Sequence, residues 1–303
     1  MSRSKNKKRK KLANIIGKLI IIKVLIIISI FLYARYIGTT GINVKEYKIT
    51  NSNIPDNFYG FKIVHFSDVH YGRTINDNEL KKIVNKINYL NPDLIVFTGD
   101  LIDKDTKINE KQINSLISIL SKLDARVGKY YITGNHDYEF KDFSTIMNNS
   151  GFNNIDNNYD IIYNDGFKPL LLAGISTNLY LNKDNTTVEE KSKNISNYIT
   201  SLTDNNDENL PKYKILMIHE PDFIDDLNIN DYNLILAGHS HNGQVKVPGI
   251  GAVILPHGSK KYYDDYYNFN GTDLYISSGL GTSRYDLRLF NRPSINFYRL
   301  VNK

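Results

Sequence analysis

Five apolar runs in this chain each end in residues that bind metals. The ends read Asp68-Val69-His70, Gly99-Asp100, Gly134-Asn135-His136-Asp137, His219 and Gly238-His239-Ser240-His241. The runs before them, at 61–66, 94–98, 129–133, 214–218 and 234–237, have the length and the β-branched or aromatic content of buried strands. Five of the seven histidines lie in these ends. A hydrophobic core has no use for imidazoles and carboxylates at strand termini, where each would need a buried partner. Any fold open to this chain must therefore collect these ends in one place.

Between the runs lie helical patterns. Leu80, Ile83, Val84, Ile87 and Leu90 recur at helical spacing and predict a helix over 78–90, ended by Asn91-Pro92. A second amphipathic helix is expected over 108–123, closed by Gly128, and a short one over 143–149, stopped by Gly151. Strands at 161–163 and 170–175 flank the turn Asn164-Asp165-Gly166. A helix is expected over 188–202, between Asn- and Asp-rich surface loops at 182–187 and 204–208, and further strands at 244–247 and 274–277. Helices on both sides of sheets in one layered α/β domain is the architecture this alternation favours.

The charge is uneven. The chain carries 38 Lys and Arg against 32 Asp and Glu, but ten of the basic residues and no acid lie in residues 1–36. The rest is therefore mildly acidic, which gives no footprint for nucleic acid. Residues 19–37 make an Ile- and Leu-rich stretch of 19 residues, about the hydrocarbon thickness of a bilayer when helical. Lys23 interrupts it one turn from the basic end and can reach that interface. The expected organisation is a basic cytoplasmic tail over 1–18, a transmembrane signal anchor over 19–37, a linker over 38–58 with one strand at 43–49, and a catalytic body over 59–303. A cleaved secretory signal is the rival reading, because the charge-free run 24–34 has the length of a signal h-region. No small-x-small site follows Phe31 and there is no twin-arginine pair. The basic flank keeps residues 1–18 in the cytoplasm and puts the body outside.

Asp68 and His70 are two apart, so on extended backbone they project to one side, and His239 and His241 repeat this spacing. Gly99 and Gly134 let the chain turn sharply at a strand end. With no cysteine there are no disulfides, thiolate ligands or cysteine nucleophile. Asp, Asn and His donors suit Mn²⁺, Fe²⁺ or Zn²⁺.

In this order D-x-H, G-D, G-N-H-D, H and G-H-x-H resemble the calcineurin-like metallophosphoesterase family, in its bacterial membrane-associated or exported phosphodiesterase branch. The resemblance extends to Gly238-His239-Ser240-His241-Asn242-Gly243-Gln244 with Pro248, to Gly279-Leu280-Gly281-Thr282-Ser283 and to Arg292-Pro293, and covers about residues 60–300. It implies a four-layer α/β/β/α sandwich of two mixed sheets flanked by helices, here preceded by one N-terminal transmembrane helix. It also implies a phosphoesterase with two divalent ions. Asp68, His70 and His241 would hold one ion, Asn135, His219 and His239 the other, and Asp100 would bridge them. A hydroxide between the ions would attack phosphorus in line. His136 would act as general acid or stabilise the transition state, oriented by Asp137.

Phosphodiester or pyrophosphate bonds in phosphorylated small molecules or in envelope and lipid-linked substrates are the expected targets, since the anchor would hold the site near them. Two other readings compete. One is a cytosol-facing nucleotide phosphodiesterase, the other a non-enzymatic metal-binding scaffold, which would have no need of His136. Outside the motifs, His65 reads as structural and His257 as a surface residue. Arg284, Arg288 and Arg292 read either as a phosphate clamp or as solvated or salt-bridged charges. Asn242, where the family has Gly, fits a left-handed backbone position and would either be tolerated there or narrow the substrate cleft.

Overall fold

The computed structural model describes residues 2–177 and 211–302. The helix expected over 188–202 and its flanking loops lie outside the described residues. Five strands open the fold: β1 (Asn43–Thr50), β2 (Lys62–Phe66), β3 (Leu94–Phe97), β4 (Gly128–Tyr131) and β5 (Asn153–Asn154). Then come β6 (Asn158–Ile162), β7 (Leu170–Ile175), β8 (Tyr213–Ile218), β9 (Leu234–Ala237), β10 (Lys246–Val247), β11 (Gly251–Ala252), β12 (Tyr266–Phe269), β13 (Thr272–Ile276) and β14 (Ser294–Val301). They build two six-stranded sheets, ordered β1-β14-β2-β3-β4-β5 and β12-β13-β9-β8-β7-β6, while β10 and β11 form a separate hairpin. Both sheets are mixed: β14 runs antiparallel to β2, and β6 and β12 run antiparallel to β7 and β13, with parallel pairing elsewhere.

The sheets pack face to face. Ile63, Val96 and Ile132 from the first meet Leu172, Met217 and Leu236 from the second in one dry layer. The outer face of the first sheet buries α2 (Asp77–Tyr89), α3 (Glu110–Leu120) and α4 (Phe143–Asn149), through Leu80, Ile83, Val84 and Ile87 of α2 and Leu116, Ile119 and Leu120 of α3. Asn76 caps α2, and Asn109 with Gln112 forms a capping box on α3, which is why both helices begin where they do. Among the described residues, the outer face of the second sheet is covered by 3₁₀ segments carrying Ile224, and by Leu227, Tyr232 and Tyr262.

Two expectations need correction. The segment read as a linker over 38–58 holds β1, which pairs with β14 over eight residues, so the folded body begins before residue 59. β14 had no sustained signature: Ser294-Ile295-Asn296-Phe297 alternate, but the phase is lost at Tyr298-Arg299, and residues on both faces are buried. The strand expected over 244–247 is cut to two residues because Asn242 and Gln244 take φ of 48° and 32° and turn the chain.

At the N-terminus, α1 (Ser2–Leu32) runs into a π-helical turn, Tyr33–Ile37. One continuous stretch here, Asn6–Ile37, is long and apolar enough to cross a membrane, and its apolar side chains are exposed.

Candidate metal centre

The residues singled out at strand ends come together because β2, β3, β4, β8 and β9 are parallel neighbours across the two sheets, and all five release their ligands at carboxyl ends along one edge. Open α/β sheets hold ligands at such an edge. The crossover loops bond one another through the backbone: Asp68 N–H donates to Gly99 O at 2.9 Å, His70 N–H to Asp100 O at 3.2 Å and Gly238 N–H to His219 O at 3.1 Å. Gly99 sits at φ 94°, and a Cβ there would lie 2.5 Å from Gly134 N, so β3 and β4 can approach this closely only with glycine.

Five of the seven candidate ligands have left-handed backbone: Asp68 (φ 50°), His70 (43°), Asp100 (63°), His239 (64°) and His241 (47°). Such conformations are costly for residues other than glycine and gather where side chains must be aimed. They aim here into three overlapping groups, Asp68–His70–His241, His70–Asp100–His136 and Asp100–His219–His239, with ligand atoms within 4.8 Å of one another in each. Asp100 Oδ2 lies 3.3 Å from His219 Nε2, 3.7 Å from His70 Nε2 and 3.9 Å from His136 Nε2. Asn135 Oδ1 is 3.1 Å from His219 Nε2.

Their hydrogen bonds fix how these rings present themselves. His219 Nδ1 donates to Thr98 O at 2.5 Å, leaving Nε2 as the free donor atom. His239 Nε2 donates to His257 O at 2.6 Å, leaving Nδ1. His70 Nδ1 has only the Asp103 carboxylate near it, at 3.6 Å, and otherwise no partner. Outer carbonyls and carboxylates of this kind set the tautomer of metal-bound histidines. Burial holds His70 and His239 down to about 3 and His241 well below its usual value, so all three are neutral, the form that offers a lone pair to a cation. Burial disfavours charge on His219 too, but the Asp100 carboxylate outweighs it and holds this imidazole well above its usual range. Burial likewise pushes Asp68 up to about 7. Three neutral imidazoles and the buried carboxylates of Asp68 and Asp100 thus face one another within ligand distance. The donor set fits two divalent ions. His241 is the one untidy member: Arg288 Nη2 donates to its Nδ1 at 3.2 Å, which puts its proton on Nε2, facing His70 Nε2 at 3.1 Å.

His136 stands at the mouth, 10% exposed, and its Nδ1 accepts the Lys104 N–H at 3.1 Å. Nε2 of the neutral ring is thus protonated and lies on the Asp100 side, against the cleft. The expected partnership with Asp137 is not what the structure shows. Asp137 accepts N–H groups of Asp100 (2.6 Å), Leu101 (2.8 Å) and Gly134 (3.1 Å), and so ties the β3 loop to the β4 loop. Burial, with Asp100 as a like charge, pushes it up to about 8 against those three donors. The carboxylate nearest the far side of the His136 ring is Asp103, with Oδ2 3.9 Å from Nδ1, and Arg73 Nη1 stands 3.6 Å behind it. Its signal in the sequence was a second acid three residues after Asp100, in the same strand-end loop.

The arginines separate. Arg284 and Arg292 are exposed, and Arg284 reaches the cleft. Arg288 is neither solvated nor a phosphate clamp: it is fully buried beneath His241, donating to the carbonyls of Ser278 (2.8 Å), Gly279 (3.1 Å) and Gly281. Arg288→Met is expected to destabilise the fold by about 3 kcal/mol, because it strands these carbonyls; a denaturant midpoint unchanged from the parent would contradict this. Asn242 is also buried, at φ 48°, and does not line the cleft, so it does not narrow it. His65 is structural, held by Thr98 Oγ1 at 2.8 Å and Tyr298 Oη at 3.3 Å, and the exposed His257 lines the cleft and accepts from His239 through its carbonyl.

The centre floors a cleft of about 500 Å³. The metal-ligand side is polar. The lining also includes the apolar Val245, Ile254, Leu255 and Pro256 and the Tyr285 ring.

A calcineurin-like phosphoesterase family model matches residues 61–243. The chain is 35% identical over 273 residues to the uncharacterized metallophosphoesterase YkuE of Bacillus subtilis, covering 88% of each chain. It is 25% identical to the phosphodiesterase YaeI of Escherichia coli, over 81% of this chain and 84% of that one. It is also 25% identical to a transmembrane protein with metallophosphoesterase domain of Danio rerio, over 83% of this chain and 56% of that one. The chain therefore belongs to the calcineurin-like phosphoesterase family and is a hydrolase of phosphoric esters.

Proposed function

We propose that this chain is a membrane-anchored, two-metal phosphoesterase with its catalytic body outside the cytoplasm, cleaving phosphodiester or pyrophosphate bonds of envelope substrates. The observation that carries this reading is the placing of Asp100 between His70 at 3.7 Å and His219 at 3.3 Å, each in its own cluster of ligand-type side chains, with His136 at the mouth. Asp68, His70 and His241 would hold one ion, Asn135, His219 and His239 the other, and Asp100 both. When bound, the ions would lower the pKa of a water and neutralise phosphoryl charge. His136 hands the Nε2 proton to the leaving oxygen. The Lys104 N–H on Nδ1 positions that ring, Asp103 stands behind His70, and Arg284 offers a guanidinium to a second anionic group at the mouth. Asp103→Ala is expected to weaken the ion held through His70 about 10–100-fold, because Asp103 is the carboxylate beside His70 Nδ1 at 3.6 Å; parental metal affinity in the variant would remove Asp103 from this role. The anchoring part of the reading rests on the exposed apolar stretch Asn6–Ile37, on the basic residues before it, and on the resemblance to a transmembrane relative.

The test is hydrolysis by the full chain in detergent with Mn²⁺ against a phosphomonoester, a phosphodiester and a pyrophosphate. Faster turnover of either of the last two supports the reading. Exclusive hydrolysis of the monoester, or none with two ions bound, would defeat it.

A further inference from the structure

The π-helical turn that ends the N-terminal helix does not hang free of the body. Arg288 N–H donates to Ala34 O at 2.9 Å, and Arg35 Nη2 lies 3.5 Å from Asp286 Oδ2. The apolar stretch continues past that contact to Ile37. The loop around residues 285–290 is therefore held at the level of the helix's last apolar turn, which in a membrane-crossing helix is the bilayer boundary.

That loop points apolar groups outward. Phe290 is 68% exposed at φ 53°, a strained backbone for an aromatic residue, and Tyr285 is also exposed. The loop is tied in turn to the β10–β11 hairpin: Lys246 N–H donates to Leu289 O at 2.9 Å, and Leu289 N–H to Gln244 O at 3.2 Å. The hairpin and the residues after it expose Ile250 (78%), Val253 (54%) and Ile254 (45%). The same two segments supply apolar lining of the cleft, through Val245, Ile254 and Tyr285. Exposed apolar residues thus stand on the two backbone-linked segments between the helix exit and the cleft, and clustered exposure of this kind marks a surface that is covered in use.

We propose that Ile250, Val253, Ile254 and Phe290 seat in the boundary of the bilayer that α1 crosses. The cleft then takes its phosphate from a lipid that remains in the membrane, a lipid-borne phosphodiester or pyrophosphate. The phosphate lies on the polar metal-ligand side while the lipid stem leaves along the apolar lining. This rests on the phosphoesterase reading above.

The chain contains no tryptophan, so single reporters can be placed in it. The full chain carrying Phe290→Trp or Ile250→Trp is reconstituted in phosphatidylglycerol vesicles with or without brominated acyl chains. Phe167→Trp is the control: it is 89% exposed, but lies before the amino end of β7, at the sheet edge opposite the centre. Bromolipid is expected to quench the first two and spare the control. Quenching at neither rim position, or equally at all three, overturns the seating. For the substrate, the double variant Ile250→Ser with Phe290→Ser is compared with the parent on a vesicle-borne phosphodiester lipid and on soluble bis(4-nitrophenyl) phosphate. The expected result is about a tenfold loss of kcat/KM on the lipid only, as loss of apolar seating predicts. Hydrolysis of the soluble diester with the lipid untouched, or with lipid turnover indifferent to the variant, overturns the substrate class. No turnover of either compound by the parent would instead sink the enzymatic reading, while quenching would still decide the seating.

Discussion

Asp100→Asn is expected to purify with fewer than two equivalents of metal and to hold what remains about 100-fold more weakly, or worse. Asp100 is the carboxylate that approaches both ligand groups, 3.3 Å from His219 Nε2 on one side and 3.7 Å from His70 Nε2 on the other. It is buried, and although burial alone would raise it, His219, with His136 and His70, holds it well below the usual carboxylate range. It is therefore a fixed negative charge in a place where water cannot screen an ion. Asparagine keeps its size and can still accept the His136 N–H that Asp100 Oδ1 takes at 2.8 Å, so the loop should hold its shape. What disappears is the charge shared by the two ions. Metal analysis of the variant, with a thermal melt to show it folded, checks this. Two full equivalents at parental affinity would mean that Asp100 does not bridge.

His136→Ala is expected to do the reverse: metal content stays at the parental level while turnover falls by about 10²–10⁴-fold. The difference follows from place. His136 lies at the rim, and its Nδ1 is occupied by the Lys104 N–H, so the free face of its ring is a protonated Nε2. A protonated nitrogen is a poor metal ligand and a good proton donor. The close approach to Asp100, 3.9 Å, leaves ligation open, which is why metal content must be measured beside kcat. A variant that loses an ion along with its activity would make His136 a ligand and remove the general acid.

Much of this centre was legible before any coordinates. The spacing of Asp68 with His70 and of His239 with His241, each behind an apolar run, marked strand ends carrying ligands. Each such end is local, set by period-two geometry and the turn after it. The helices α2 and α3 were legible for a similar reason, since one apolar face repeats within a few residues. The partner of His136 was not. Asp137 is its neighbour in the chain, but the turn swings that carboxylate onto three backbone N–H groups, and the Lys104 N–H from the preceding strand-end loop takes its place on Nδ1. Arg288 read as a phosphate clamp or as a solvated or salt-bridged charge, because sequence distance does not say what covers a side chain. The carbonyls of Ser278, Gly279 and Gly281 in one loop hold it, beside the His241 ring.

By itself, the sequence determined which residues could meet a metal and a phosphate, and that an apolar stretch precedes them, because residue type and short-range period dictate donor chemistry and strand or helix. Only the tertiary structure decided which carboxylate stands behind which imidazole, that β1 belongs to the body, and that backbone hydrogen bonds link the helix exit, the Phe290 loop and the hairpin beside the cleft. Those relations join residues tens to hundreds of positions apart, and only the packing of two sheets against each other brings such residues within reach of a hydrogen bond.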